Sequence, residues 1–216
     1  LSLGQYYQAP PFIWLVGDPG NIDRLQPIRA DAAILGYERL FRPDLKGQVE
    51  VYYKRYADYP ARLFRPEAVL QPTGFDDVTS DIPSGLEPPS SIATGRSYGV
   101  GLQLQKKFST VPLYGLVSLT ANRAEYAGVD SVYYTGSFET RFIGNLLAGW
   151  RFNPKWELSG KYRLATGLPY TPFAATGPEA GERDFTQYNQ QRFPTYSAVD
   201  IRIDRRWSFR AVQLDV

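Results

Sequence analysis

The 216-residue chain carries 24 Lys and Arg against 22 Asp and Glu, and its net charge of +2 gives no reason to expect nucleic acid or an acidic substrate. At 43% hydrophobic and 21% charged residues it does not read as a disordered chain. No run of about 18 apolar residues offers a spanning helix or a secretory h-region. Cysteine, histidine and methionine are all absent. There is then no disulfide framework, no thiol chemistry, and neither the commonest general base nor the commonest metal ligand. No catalytic set, metal site or cofactor is expected. Lacking Met, the chain reads as a processed product or a fragment. Its 16 Tyr suit boundaries where one end of a ring is apolar and the other wet.

Period-two alternation runs through the sequence and helical periodicity hardly appears. It predicts strands at roughly 1–8, 29–41, 47–64, 97–108, 112–126, 139–152, 155–167, 196–209 and 211–216. The face of 29–41 is ambiguous. In "QVEVYYKRY", Val49, Val51 and Tyr53 oppose Gln48, Glu50, Tyr52 and Lys54. In "VGLQLQKK", Val100, Leu102 and Leu104 oppose Gly101, Gln103 and Gln105. Segment 139–152 is mixed: Leu146, Ala148 and Trp150 share one face, while Ile143 and Leu147 join Asn145 and Arg151 on the other. In "WELSGKYRL", Trp156, Leu158, Gly160, Tyr162 and Leu164 oppose Glu157, Ser159, Lys161 and Arg163. In "SAVDIRIDRRW", Val199, Ile201 and Ile203 oppose Asp200, Arg202, Asp204 and Arg206. Several strands exceed ten residues, where soluble strands usually run about five or six. Twelve residues reach roughly 40 Å, enough when tilted by about 40° to cover an apolar band about 25 Å tall.

Alternation alone leaves open whether the apolar face is a core or a lipid surface. The connections decide it. Tight turns are expected at 42–46, 109–112, 153–155 and 208–210, on Pro, Asn, Asp and Ser. Long connections rich in Pro, Gly, Asp and Thr are expected at about 9–28, 65–96, 127–138 and 168–195. Short and long alternate strictly, so short turns gather at one end of the strands and long loops at the other, as in outer-membrane barrels. Trp150, Trp156, Trp207, Phe108 and Phe152 lie beside short turns, at one level, as an interfacial girdle would. The other explanation for these rings is a set of plugs closing one end of a soluble barrel.

Against that frame, "LGQYYQAP" (3–10), the stretch 17–60 around "YERLFRPDLKGQVEVYYKRY", and "GLQLQKKFSTVPLYGLVSLT" (101–120) resemble the TonB-dependent outer-membrane receptors. So do "RFIGNLLAGWRFNPKWELSGKYRLATGLPYTPF" (141–173) and "YNQQRFPTYSAVDIRIDRRWSF" (188–209), in the order of the C-terminal part of that family's barrel. The resemblance implies an all-β fold: an antiparallel up-and-down transmembrane barrel segment, with about nine strands of a barrel of about 22. Residues 1–216 would then be a partial barrel domain without the plug domain and the remaining strands. It implies an outer-membrane location in a Gram-negative bacterium and uptake of a scarce nutrient, such as an iron–siderophore complex or cobalamin. The implied partners are outer-membrane lipid, an N-terminal plug, the TonB energy-transducing protein and a small-molecule ligand. The stop at "AVQLDV" lacks the terminal aromatic residue of the family and reads as a fragment's end.

The candidate sites follow. Val100, Leu102, Leu104, Leu158, Tyr162, Val199, Ile201 and Ile203 are expected to face lipid. Glu157, Lys161, Arg163, Asp200, Arg202, Asp204 and Arg206 are expected to face a hydrated lumen. The charges of the last strand either contact a plug or simply pair with Glu157, Lys161 and Arg163 on the neighbouring strand. Trp14, Phe75, Tyr170, Phe173, Phe185, Tyr188 and Arg192, on the long loops, are the candidate ligand contacts, because aromatic and Arg side chains dominate binding hot spots. Loop packing would use the same residues. Asp76, Asp77 and Asp81 do not have EF-hand spacing, and the GxG of "YGVG" (98–101) has no third glycine and no following helix. Two other architectures remain: a passive porin-like barrel, and a soluble β-barrel in which Ile201 and Ile203 would be core residues.

Overall fold

The computed structural model describes residues 1–63, 88–177, 180–208 and 213–215. In chain order the strands are β1 (Ser2–Gln8), β2 (Ile28–Arg42), β3 (Leu45–Ala61), β4 (Ser90–Lys106), β5 (Leu113–Ala127), β6 (Tyr133–Thr135), β7 (Phe142–Asn153), β8 (Trp156–Ala165), β9 (Pro169–Tyr170), β10 (Gln191–Arg192), β11 (Tyr196–Ser208) and β12 (Gln213–Asp215). Two short helices, α1 (Phe12–Gly17) and α2 (Asn21–Arg24), lie between β1 and β2. One antiparallel sheet runs β1-β2-β3-β4-β5-β7-β8-β11-β12, with β6 beside β5, and β9 pairs with β10 in a separate ribbon. This is an up-and-down order, and its nine main strands are those expected from alternation.

The differences lie at the loop end. β4 begins at Ser90, seven residues before the expected start. Its added stretch, "SSIATGR", is made of small residues that carry little alternation. There Gly95 lies where a Cβ would stand 2.5 Å from the Tyr126 ring, so only glycine lets that ring lie over the strand. The connection expected at 9–28 contains α1 and α2, each too short to show a helical period. The connections at 127–138 and 168–195 contain β6, β9 and β10. Among the described residues no helix is long and apolar enough to cross a membrane, which says nothing of strands.

Register places the side chains on two faces. Val199, Ile201 and Ile203 stand opposite Tyr162, Gly160 and Leu158, which stand opposite Leu146, Ala148 and Trp150. Leu146 continues to Val117 and Leu104. Val100 and Leu102 meet Val51 and Val49, and these meet Leu35 and Tyr37. Since neighbours in register share a face, one apolar face runs unbroken from β2 to β11. The ambiguous segment 29–41 resolves with Leu35 and Tyr37 on it. Among the described residues nothing covers this face: Val199 is 65%, Ile201 73% and Ile203 62% exposed. The other face carries Arg202, Asp204, Glu157, Arg163 and Asn145, together with Gln103, Gln48 and Glu50. Leu147 sits on this polar face, as its parity predicts.

The principal core cluster is small and lies at the loop end. Trp14, Leu25, Ile28, Tyr59, Ala61 and Ala93 form it, with Leu15, Tyr56 and Tyr126 packed against it. Register puts Tyr56 and Tyr126 on either side of Gly95, on the polar face. The α1–α2 segment therefore folds against the polar side of the sheet, near its long-loop rim.

Candidate functional site

At the short-turn rim the polar face gathers into a network. Tyr114 donates its hydroxyl to Glu157 Oε1 at 2.6 Å, and Arg151 donates Nε and Nη2 to Glu157 Oε2 at 2.9 and 2.7 Å. Tyr114 reaches Glu157 because residue 149 is glycine: a Cβ there would stand 2.1 Å from the Tyr114 ring. Arg202 Nε donates to Asp204 Oδ1 at 2.7 Å. With Arg206, these side chains line a cavity of about 310 Å³. Asp204 stands directly opposite Glu157. Within the expected cross-strand ladder, Asp204 therefore meets Glu157 as a like charge rather than as a partner. Two carboxylates face each other, and each takes its cation elsewhere, from Arg202 on the same strand and from Arg151 on β7. Like charges directly opposite repel, and these two guanidiniums compensate them. Lys161 is in register with Asp200, and Arg163 with Ala198.

The turns below are tied to one another. Asp44, in the turn between β2 and β3, accepts from Lys106 and from Ser109 Oγ (2.8 Å), while its backbone oxygen accepts from the Lys107 amide at 2.8 Å. These donors hold its carboxyl down to about 2, well below the usual carboxylate range. Around the same rim, Trp150 and Phe152 pack at 5.5 Å, and the Arg205 guanidinium lies over Trp156 and Trp207 at 5.0 and 4.7 Å. Phe108 belongs elsewhere: it lies under Arg151, on the polar side.

The long-loop rim collects most of the candidate ligand contacts, and neighbouring loop residues hold them. Phe185 stacks on Tyr188 at 6.2 Å, and Tyr188 is buried edge-on against Tyr134 at 5.6 Å. Tyr170 packs on Phe193 at 4.7 Å. Phe173 bridges to Arg183 and stays exposed. Arg192 donates Nη1 to the carbonyls of Glu139 and Gly167, both at 3.1 Å, and Nη2 to Glu139 Oε1 at 3.0 Å. Trp14 is 1% exposed, in the α1–α2 core and apart from this group. Phe75, Asp76, Asp77 and Asp81 lie outside the described residues. The "YGVG" glycines are strand residues of β4. Among the described residues no group of three acidic, His or Cys side chains could hold a metal.

Sequence reasoning missed Glu139, Asn189 and the tyrosine trio Tyr56, Tyr59 and Tyr126. Glu139 is buried and bonded to both Arg141 and Arg192. Asn189, in a left-handed conformation at φ 53°, donates to the Thr135 carbonyl and Ser137 Oγ. An Asn tolerates that conformation, and the pair "YN" before a strand was the only local hint. Asp184 accepts from Thr186 and Gln187 and so titrates below its usual range, capping the one-turn helix at 185–187.

Long antiparallel strands, an uncovered apolar face and a charged opposite face define a segment of a barrel of the outer-membrane type. A family model described as TonB dependent receptor-like, beta-barrel, matches residues 1–216, and the chain belongs to that family. Among solved structures it is similar to the FrpB iron transporter from Neisseria meningitidis (F3-3 variant), with a TM-score of 0.53 and 12% identity over 83% of this chain. The chain spans 24% of that protein's length, and at this identity the likeness is one of fold. No curated protein matches the sequence.

Proposed function

We propose that this chain is part of the barrel wall of an outer-membrane receptor that imports a scarce small-molecule nutrient by TonB-dependent transport. In this reading its nine main strands belong to a barrel of about 22 whose lumen is plugged. Val100, Leu102, Leu104, Leu158, Tyr162, Val199, Ile201 and Ile203 face lipid. Glu157, Lys161, Arg163, Asp200, Arg202, Asp204 and Arg206 face the lumen. One observation carries the reading: the apolar face is continuous over seven strands and uncovered among the described residues, whereas a soluble barrel would bury Ile201 and Ile203. A large exposed apolar surface requires an apolar partner, and the alternating turn lengths orient it as in outer-membrane barrels.

The cavity around Glu157, Arg202 and Asp204 lies on the lumen wall, where a plug would dock. The loop residues Tyr170, Phe173, Phe185 and Arg192, with Tyr188 packed beneath them, form the surface that ligand would meet from outside, an iron–siderophore complex or cobalamin being the class the family favours. The test is uptake in cells that express the whole reading frame. Accumulation of the nutrient that requires both the proton gradient and TonB supports the proposal. Uptake that continues after TonB is deleted contradicts it and selects a passive pore.

A further inference from the structure

The apolar face ends upward in charge. On β3 it reads Val49, Val51, Tyr53, Arg55, and on β4, in register, Leu102, Val100, Tyr98, Arg96. Tyr53 and Tyr98 stack at 6.4 Å, forming a second aromatic level away from the short turns. Next to them stand Arg123, opposite Tyr98, and then Glu125, opposite Arg96. From Leu45 at the short-turn rim to Arg55, the strand climbs roughly 34 Å along its axis. At a tilt of about 40° this is roughly 26 Å of height, close to the apolar band of about 25 Å. The arginines thus stand where a lipid headgroup layer begins.

Charge on this row is unbalanced. Glu125 accepts from Arg96 Nε and Arg123 Nε, both at 2.8 Å, so one carboxylate serves two guanidiniums. Asp31, opposite Arg55, is taken by Arg29 at 3.4 Å and Gln5 at 2.7 Å. Arg55 has no ion pair among the described residues, and it stands directly opposite Arg96. Four arginines against two carboxylates leave two positive charges, and a like-charged cross-strand pair is destabilising without an anion. Arg96 is also held against the Tyr133 ring at 4.3 Å, which fixes its plane while leaving part of it open.

We infer that Arg55, Arg96 and Arg123 form a binding site for a phosphate-bearing lipid headgroup on the outer surface of the barrel, at the long-loop rim. Guanidinium pairs suit phosphate oxygens bidentately. The inference rests on the apolar face meeting lipid. The receptor barrel carrying this chain would be reconstituted in phosphatidylcholine bilayers with and without phosphatidic acid, and retention of the acidic lipid measured by native mass spectrometry. Arg55→Gln is expected to lower preferential retention about fivefold, the equivalent of the ~1 kcal/mol that one basic residue contributes at an anionic lipid surface. Arg163→Gln, which removes the same charge from the opposite face, is expected to leave it unchanged. Unaltered retention in Arg55→Gln overturns the site. Displacement of the lipid by dissolved inorganic phosphate shows a site for free anions and overturns the lipid assignment. Equal losses in both variants overturn the face reading itself.

Discussion

The strand body and the loop end of this molecule are built on opposite principles. Around Trp14 the loop end resembles a soluble protein: an indole 1% exposed, aliphatic neighbours, and stacked tyrosines. Among the described residues the body has no comparable interior. Ile201 and its apolar neighbours are open on one side, and on the other Glu157, Arg151, Arg202 and Asp204 form a charged network. A single layer with one greasy and one charged face makes sense only between two different solvents. The comparison teaches that burial marks where this chain packs on itself, and that over the body the proposed reading assigns completion of the packing to lipid.

Four changes probe that contrast. Trp14→Ala should cost about 3–5 kcal/mol locally, as large-to-small core substitutions do. Hydrogen exchange should quicken over 12–25 and the start of β4, while β7, β8 and β11 keep their protection. Ile201→Arg should cost about 2–4 kcal/mol of folding free energy in a bilayer if the site lies near the midplane. Denaturant titration in lipid should detect this cost, and Asp204→Asn should come out much milder. Glu157→Gln should cost about 1 kcal/mol, because the Arg151 pair it weakens is partly open to solvent. Under the same titration this loss should shrink in an Arg151→Gln background, where Glu157 keeps the Tyr114 hydroxyl. The smallest effect is acid sensitivity of the turns. Asp44 titrates lower folded than unfolded, so its contribution to stability is complete above pH 4 and fades as pH falls toward about 2. Asp44→Asn should flatten the stability–pH profile in that window.

Much of the body was legible in the sequence because strand alternation is local. Parity alone assigned Val199, Ile201 and Ile203 to one face and Arg202 and Asp204 to the other, and Pro43-Asp44 and Pro154-Lys155 marked their turns. Which charges pair was not legible: Asp204 opposite Glu157 depends on register, and Tyr114 reaches Glu157 only because residue 149 is glycine. The loop end was hidden for a stronger reason. Glu139 meets Arg192, Asn189 meets Thr135, and Trp14 meets Tyr59 and Ala93 across long stretches of chain. Helices of six and four residues are too short to show a period. Residue type made Arg192 a candidate ligand contact or a loop-packing residue, and its guanidinium bonds Glu139 and Gly167.

The orientation of the two faces is the claim on which the rest depends, and the absence of cysteine makes it directly measurable. Single-cysteine variants Ile201→Cys and Arg202→Cys, adjacent on β11, can be labelled in the receptor barrel embedded in a bilayer. A spin label at 201 is predicted to be relaxed by oxygen dissolved in the lipid and shielded from a water-soluble nickel chelate, and a label at 202 to show the reverse. Equal access of the chelate to both positions, or oxygen contact at 202 alone, would contradict the account.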